Sequence, residues 1–197
     1  MIERGMIFNS KMVCALLDGR KTQTRRPIKF PLFDKNLGCE LAGNELAGEL
    51  AAGNYLNSAF GKPGHRIWVR ETWTQESIDA EDGSYSPDYR ATANGQPLDG
   101  RWTPAIHMPR WASRITLEIT DVRVERLNSI SESDAIVEGL ERYNDDGIIY
   151  YGPFERGDCR PEVAYRDLWL SIYGAESWQA NPWVWVIEFK RVEGGAA

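Results

Sequence analysis

The sequence predicts an α+β fold built around a small barrel or curled sheet. Three observations point there. Segments suited to strands recur from residue 6 to residue 192. Stretches with helical spacing are few and unevenly placed, which disfavours a doubly wound parallel sheet. The chain has 197 residues, 42% of them hydrophobic and 11% aromatic, enough to bury a core rather than stay disordered.

In chain order, Met6-Ile7-Phe8 reads as a short strand. Asn9 or Ser10 caps a helix in which Met12, Val13, Leu16 and Leu17 recur at helical spacing, and Gly19 stops it. Residues 30–60, rich in Gly, Ala, Leu and Asn, read as an insertion with one helical turn. Gly61-Lys62-Pro63-Gly64 is a turn, not a phosphate loop, because no Ser or Thr follows the lysine into a helix. Arg66 to Trp73 alternates as a half-buried strand. Residues 76–110 are a turn-rich insertion with a short strand at Tyr89-Arg90-Ala91.

Ile115, Leu117, Ile119, Val122 and Val124 form an alternating set whose phase changes near Asp121, giving a bulged strand or two strands. Ser129 to Gly139 reads as a helix, with Ser131 and Asp134 at capping spacing. Residues 140–160 form a third insertion. Pro161 opens a helix with Tyr165, Leu168, Trp169 and Ile172 on one face, and Trp183 to Val192 is a closing strand. Residues 1–193 thus read as one domain with insertions near 30–60, 76–110 and 140–160, followed by a flexible tail at 194–197.

The formal charge is −6, but residues 1–30 hold seven Lys and Arg against Glu3 and Asp18. A negative total argues against a broad electrostatic grip on duplex nucleic acid and leaves room for a local phosphate contact. Cys14, Cys39 and Cys159 are odd in number and widely spaced, and only two histidines are present, so a structural zinc site is not expected. The cysteine usage fits a reducing cytosol. No signal peptide or membrane-spanning apolar run is visible. The expected location is cytoplasmic.

The densest chemistry lies in Gly19-Arg20-Lys21-Thr22-Gln23-Thr24-Arg25-Arg26, with four cations, two hydroxyls, one amide and no acid. A threonine hydroxyl becomes nucleophilic when a base takes its proton, and Lys21 could serve as that base if burial and nearby cations depress its pKa. The alternative is that Arg20 and Lys21 simply complement a helix C-terminus. Lys21 and Thr24 point to opposite faces of a straight strand, so a shared site requires the segment to turn. Glu138, in the last turn of a predicted helix, is a candidate proton donor or a surface glutamate. Glu71 is a candidate for the site or for a structural ion pair with a neighbour. His107, Arg110 and Trp111 could stack a base and hold a phosphate, or brace a loop. No Gly-x-Ser-x-Gly motif supports a serine hydrolase.

The helix leading into Gly19-Arg20-Lys21-Thr22-Gln23-Thr24-Arg25, the strand Ile67-Trp68-Val69 and the terminal Trp185-Val186-Ile187-Glu188-Phe189-Lys190 resemble the ASCH domain, a member of the PUA-like superfamily of small β-barrels. With His107 to Arg114 included, the chain looks like the larger ASCH-type proteins encoded by phages and prophages. The resemblance implies a PUA-like barrel with flanking helices and loop insertions, associated with RNA and modified nucleosides. One small bacterial member is an N4-acetylcytidine amidohydrolase with a lysine base, a threonine nucleophile and a glutamate proton donor. Carried over by motif, these roles fall on Lys21, Thr24 and Glu138. Arg25, Arg26, Arg70, Glu71, Trp73, His107, Arg110 and Trp111 are the expected substrate-binding residues. No cofactor and no obligate metal is implied. The alternatives are a non-catalytic module for RNA, single-stranded DNA or a modified base, and a metal-free ribonuclease.

Overall fold

The computed structural model describes residues 2–78, 85–93, 100–153 and 156–192. The expected tail at 194–197, and parts of the insertions near 76–110 and 140–160, lie outside them.

β1 (Glu3–Ile7) leads into α1 (Ser10–Leu17). Asn9 Oδ1 accepts from Met12 N at 2.9 Å, which satisfies one of the open amides of the first turn. Gly19, at φ +73°, ends the helix. β2 (Gln23–Pro27) follows. Gln-Thr-Arg-Arg-Pro shows no apolar alternation, so this strand exists through its pairing with a partner rather than through its own pattern.

The 30–60 segment holds a nine-residue helix, α2 (Gly43–Ala51), where one turn was expected. Leu46 and Leu50 are buried in the main core, so the segment is part of the fold's interior. Gly43 lies against the Trp183 ring, where an added Cβ would come within 2.4 Å. The Arg66–Trp73 stretch is two strands. β3 (Arg66–Arg70) belongs to the main sheet, while β4 (Trp73–Ile78) pairs with β5 (Tyr85–Tyr89) in a separate hairpin. The strand expected at Tyr89-Arg90-Ala91 instead ends at Tyr89, whose carbonyl accepts from Thr92 N and Ala93 N to close a turn.

β6 (Thr116–Arg126) carries a register shift between Ile119 and Asp121. Leu117 and Ile119 before the shift, and Val122 and Val124 after it, enter the same core cluster. The extra residue thus keeps the apolar face in phase across a sequence whose alternation has slipped. α3 is shorter than expected, Glu132–Val137, because Leu127–Ser129 forms a separate 3-10 turn. Ser131 caps α3, and Gly139, at φ +95°, follows it. The 140–160 segment contains a hairpin of β7 (Arg142–Asp145) and β8 (Ile148–Tyr151), with Tyr143 and Tyr150 stacked at 5.4 Å. α4 (Pro161–Tyr173) and β9 (Trp183–Val192) complete the described chain.

Five strands form one sheet in the order β1-β3-β6-β9-β2, with β1 and β3 parallel and the other neighbours antiparallel. An apolar cluster packs on each face. β9 serves both, sending Trp185, Ile187 and Phe189 to one and Val184 and Val186 to the other. A β1–β2 ladder that would close a barrel is not among the described pairings. The outer strands nonetheless approach each other, since Arg26 of β2 donates from Nη2 to the Ile7 carbonyl of β1 at 2.8 Å. No helix among the described residues is long and apolar enough to cross a membrane.

Candidate functional site

Between Gly19 and Gln23 the chain turns out of α1 and into β2. Lys21 N donates to Ala15 O and Thr22 N donates to Val137 O, so this turn is fixed against both α1 and α3. Lys21 therefore lies outside the β2 ladder, facing Glu138 in an isolated bridge. The chain therefore bends between Lys21 and Thr24, and Thr24 is not among the three hydrogen-bond partners of the Lys21 ammonium.

The Lys21 ammonium is fully enclosed. Its Nζ donates to Glu138 Oε2 at 2.9 Å, to the Glu138 carbonyl at 2.7 Å and to the Gln23 carbonyl at 2.8 Å. Three acceptors match the three hydrogens of a lysine head. Burial pushes the Lys21 ammonium below its ordinary value, with Arg26 and Arg25 adding to the fall and the charge and hydrogen bond of Glu138 opposing it. Glu138 is buried, not a surface glutamate, with its side chain 3% exposed. Gly139 makes this packing possible, because a Cβ there would come within 2.8 Å of Lys21 Cβ and 2.9 Å of Ala15 Cβ.

Arg25 is also enclosed. Its guanidinium contacts Asp134 at 2.9 Å and Glu125 and Glu138 at 3.3 Å, and it donates to Gln23 Oε1. Its head is engaged with protein acids rather than presented outward. Asp134 joins Arg25 to Gln23 and Arg123, and Arg123 in turn pairs with Glu125 and Glu188. Burial alone would raise the Asp134 carboxyl. Hydrogen bonds from Gln23 and Arg25, with the charges of Arg25 and Arg123, outweigh that and hold it below its ordinary value.

Thr24 is 1% exposed and alternates with Gln23 and Arg25 along β2, so it sits on the opposite face of the strand. Thr24, Arg25, Arg26 and Glu138 line a pocket of about 10 Å³ closed by Tyr165, Trp169 and other residues of α4. A larger cavity of about 600 Å³ adjoins it, between α1, the 138–141 turn and α4. Met12, Glu138 and Leu168 line both spaces. Arg20 lines the larger one, held by Asp18 and by the Gly139 carbonyl at 3.0 Å.

The remaining expected site residues form a second group around the end of β3. Arg70 donates to the Ala105 and Ile106 carbonyls and lies over Trp68. Glu71 is buried and takes both hydrogen bonds of a bidentate pair from Arg114 at 2.9 Å, while Arg114 stacks 3.9 Å from the Tyr89 ring centre. Trp73 is buried and meets Trp111 edge-on at 5.5 Å; Trp111 is 62% exposed. His107 is exposed, and Arg110 pairs with Glu3 at 3.0 Å. The two groups touch through Phe8, whose N donates to the Arg70 carbonyl and whose ring lies under Arg26.

Sequence reasoning assigned no site role to Glu125, Tyr165 or Trp169, and it read Asp134 only as a capping residue. The signal for the aromatic pair was the four-residue spacing on α4, which reads equally as a core face. Among the described residues no group of three or more His, Cys, Asp and Glu is placed to hold a metal ion.

No family model matches the sequence, and no curated protein matches it. Among solved structures, an ASCH domain from Lactobacillus crispatus JV V101 is similar at 16% identity, covering 96% of this chain and 79% of that chain with a TM-score of 0.39. What the site can do follows from its own geometry.

Proposed function

We propose that the protein is an amidohydrolase acting on an N-acylated nucleobase or nucleoside of the N4-acetylcytidine type, on a PUA-like scaffold of the ASCH kind. One observation carries the reading. Glu138 belongs both to an enclosed pair with Lys21 and to the wall of a cavity large enough for a nucleoside.

The pair supplies an acid and a base through one proton. Moving a proton across the 2.9 Å Nζ–Oε2 hydrogen bond turns ammonium and carboxylate into amine and carboxylic acid. Burial disfavours the two charges and so works toward the neutral form. The Lys21 amine would then take the Thr24 hydroxyl proton as its oxygen attacks the acyl carbonyl. Glu138 would protonate the departing amine, and a water would cleave the acyl-threonine to regenerate the hydroxyl.

Turnover of N4-acetylcytidine to cytidine and acetate, followed by chromatography, tests the reading. Thr24→Ala and Lys21→Met are expected to abolish it. No turnover by the wild-type protein, or unchanged turnover in Thr24→Ala, would overturn it.

A second reading, a module that binds single-stranded nucleic acid, has the exposed Trp111 ring, edge-on to Trp73, in its favour. It requires salt-sensitive binding of an oligonucleotide that is lost in Trp111→Ala.

A further inference from the structure

Of the four cations between Gly19 and Arg26, three are engaged within the fold. The Lys21 and Arg25 side chains are 0% exposed and hold carboxylates. Arg26 is turned to the Ile7 carbonyl and the Phe8 ring. Arg20 differs. It lines the cavity of about 600 Å³ together with Glu138, and its side chain is 35% exposed.

The Arg20 guanidinium is also fixed in place. Nε and Nη2 donate to Asp18 Oδ2 at 3.3 and 2.8 Å, and Nη1 donates to the Gly139 and Leu140 carbonyls at 3.0 and 3.4 Å. Among the described residues these contacts use four of the five N–H groups of a guanidinium and leave one on Nη2. Nε and Nη2 share one acceptor, so the remaining Nη2 hydrogen lies at the end of the fork, beside Nη1 and the two carbonyls. Gly139 and Leu140 line the same cavity. A donor already held in position loses little freedom when a ligand arrives.

We propose that Arg20 recognises the base, donating to the 2-oxo group of an N4-acylated cytosine. This rests on the amidohydrolase reading and names the feature of the substrate that the cavity selects. Glu138 directly precedes Gly139, so the proton donor for the leaving nitrogen and the guanidinium flank one stretch of wall. A guanidinium only donates. The pyrimidine edge beyond the acylated nitrogen carries only acceptors, ring N3 and the oxygen at C2. This contact is to a non-reacting part of the substrate and is the same in the ground and transition states. It therefore lowers KM and leaves kcat alone.

The test is steady-state kinetics of N4-acetylcytidine on the wild-type protein and on Arg20→Met, with cytosine and 4-aminopyrimidine as competitive inhibitors at a pH where both are neutral. The second inhibitor is the same ring without the 2-oxygen. Asp18 is 56% exposed, and an ion pair this open contributes little to stability, so the variant is expected to fold. KM should rise at least about tenfold in Arg20→Met, with kcat within about threefold of wild type. The wild-type protein should bind cytosine at least about tenfold more tightly than 4-aminopyrimidine, and the variant should bind the two alike. A loosened 138–141 turn would instead weaken both inhibitors and lower kcat. That pattern, or equal inhibition of the wild type by the two bases, overturns this inference and leaves the amidohydrolase reading standing. No turnover of N4-acetylcytidine by the wild type overturns both. If Arg20→Met does not fold, the wild-type inhibitor pair decides alone.

Discussion

The Lys21–Glu138 pair allows a stability prediction whose size follows from its contacts. Lys21→Met leaves the Glu138 carboxylate buried, with Arg25 Nη1 at 3.3 Å as its remaining cation, and strips a donor from the Gln23 and Glu138 carbonyls. Breaking a buried pair from one side costs about 3–5 kcal/mol. Glu138→Leu should cost a similar amount by leaving the lysine without its counter-ion. The double variant removes both charges and leaves the two unmet carbonyls, at about 1 kcal/mol each, and the lost 3.3 Å contact of Arg25, which keeps Asp134 and Glu125. It should therefore be more stable than either single variant, with a coupling energy above about 2 kcal/mol. Urea unfolding followed by circular dichroism and tryptophan fluorescence, with coincident transitions, reads this directly. Single losses under about 1 kcal/mol, or a double loss equal to the sum within about 0.5 kcal/mol, would refute the reasoning.

Two further outcomes follow from the same structure. Leu46→Ala, at a fully buried site of α2, should cost about 2–5 kcal/mol. That would lower the melting temperature by about 4–20 °C on calorimetry, whereas a dispensable insertion would show no change. Asp134 has a folded-state pKa below its unfolded value, so it contributes stability above the ordinary carboxylate range that is lost as pH falls through the folded value. Asp134→Asn should be less stable at neutral pH and show a flatter acid limb than the wild-type protein; parallel acid limbs in urea titrations would count against this.

What could be read in the sequence and what could not divides along physical lines. α1, the bulge in β6 and the closing β9 were legible because apolar residues at period 3.6 or 2 face one core. β2 was not, because its Gln-Thr-Arg-Arg residues are stabilised by pairing with β9 and by acids more than 100 residues away. α2 was understated because two leucines do its packing within a run of Gly, Ala and Asn. At the site, strand parity made a turn between Lys21 and Thr24 the condition for their sharing a site, without saying whether the chain turns there. The meeting of Lys21 with Glu138 came from the family resemblance, and helix position by itself left Glu138 equally readable as a surface residue. The place of Trp169 in the wall of the small pocket had no signal at all, since a tryptophan on an apolar helix face reads as packing.

The inward direction of the basic run has a consequence for competition. Nucleic acids and other polyanions displace ligands from exposed cations by counter-ion exchange. Lys21 and Arg25 are shielded from that exchange by their own carboxylates and by α4. On the proposed function, a ligand in the cavity meets this buried pair only through Glu138 and is selected by fit rather than by attraction to these two cations. On that reading, a crowded mixture of charged polymers would leave the site open to a small uncharged ligand that an open basic groove would rarely get to hold.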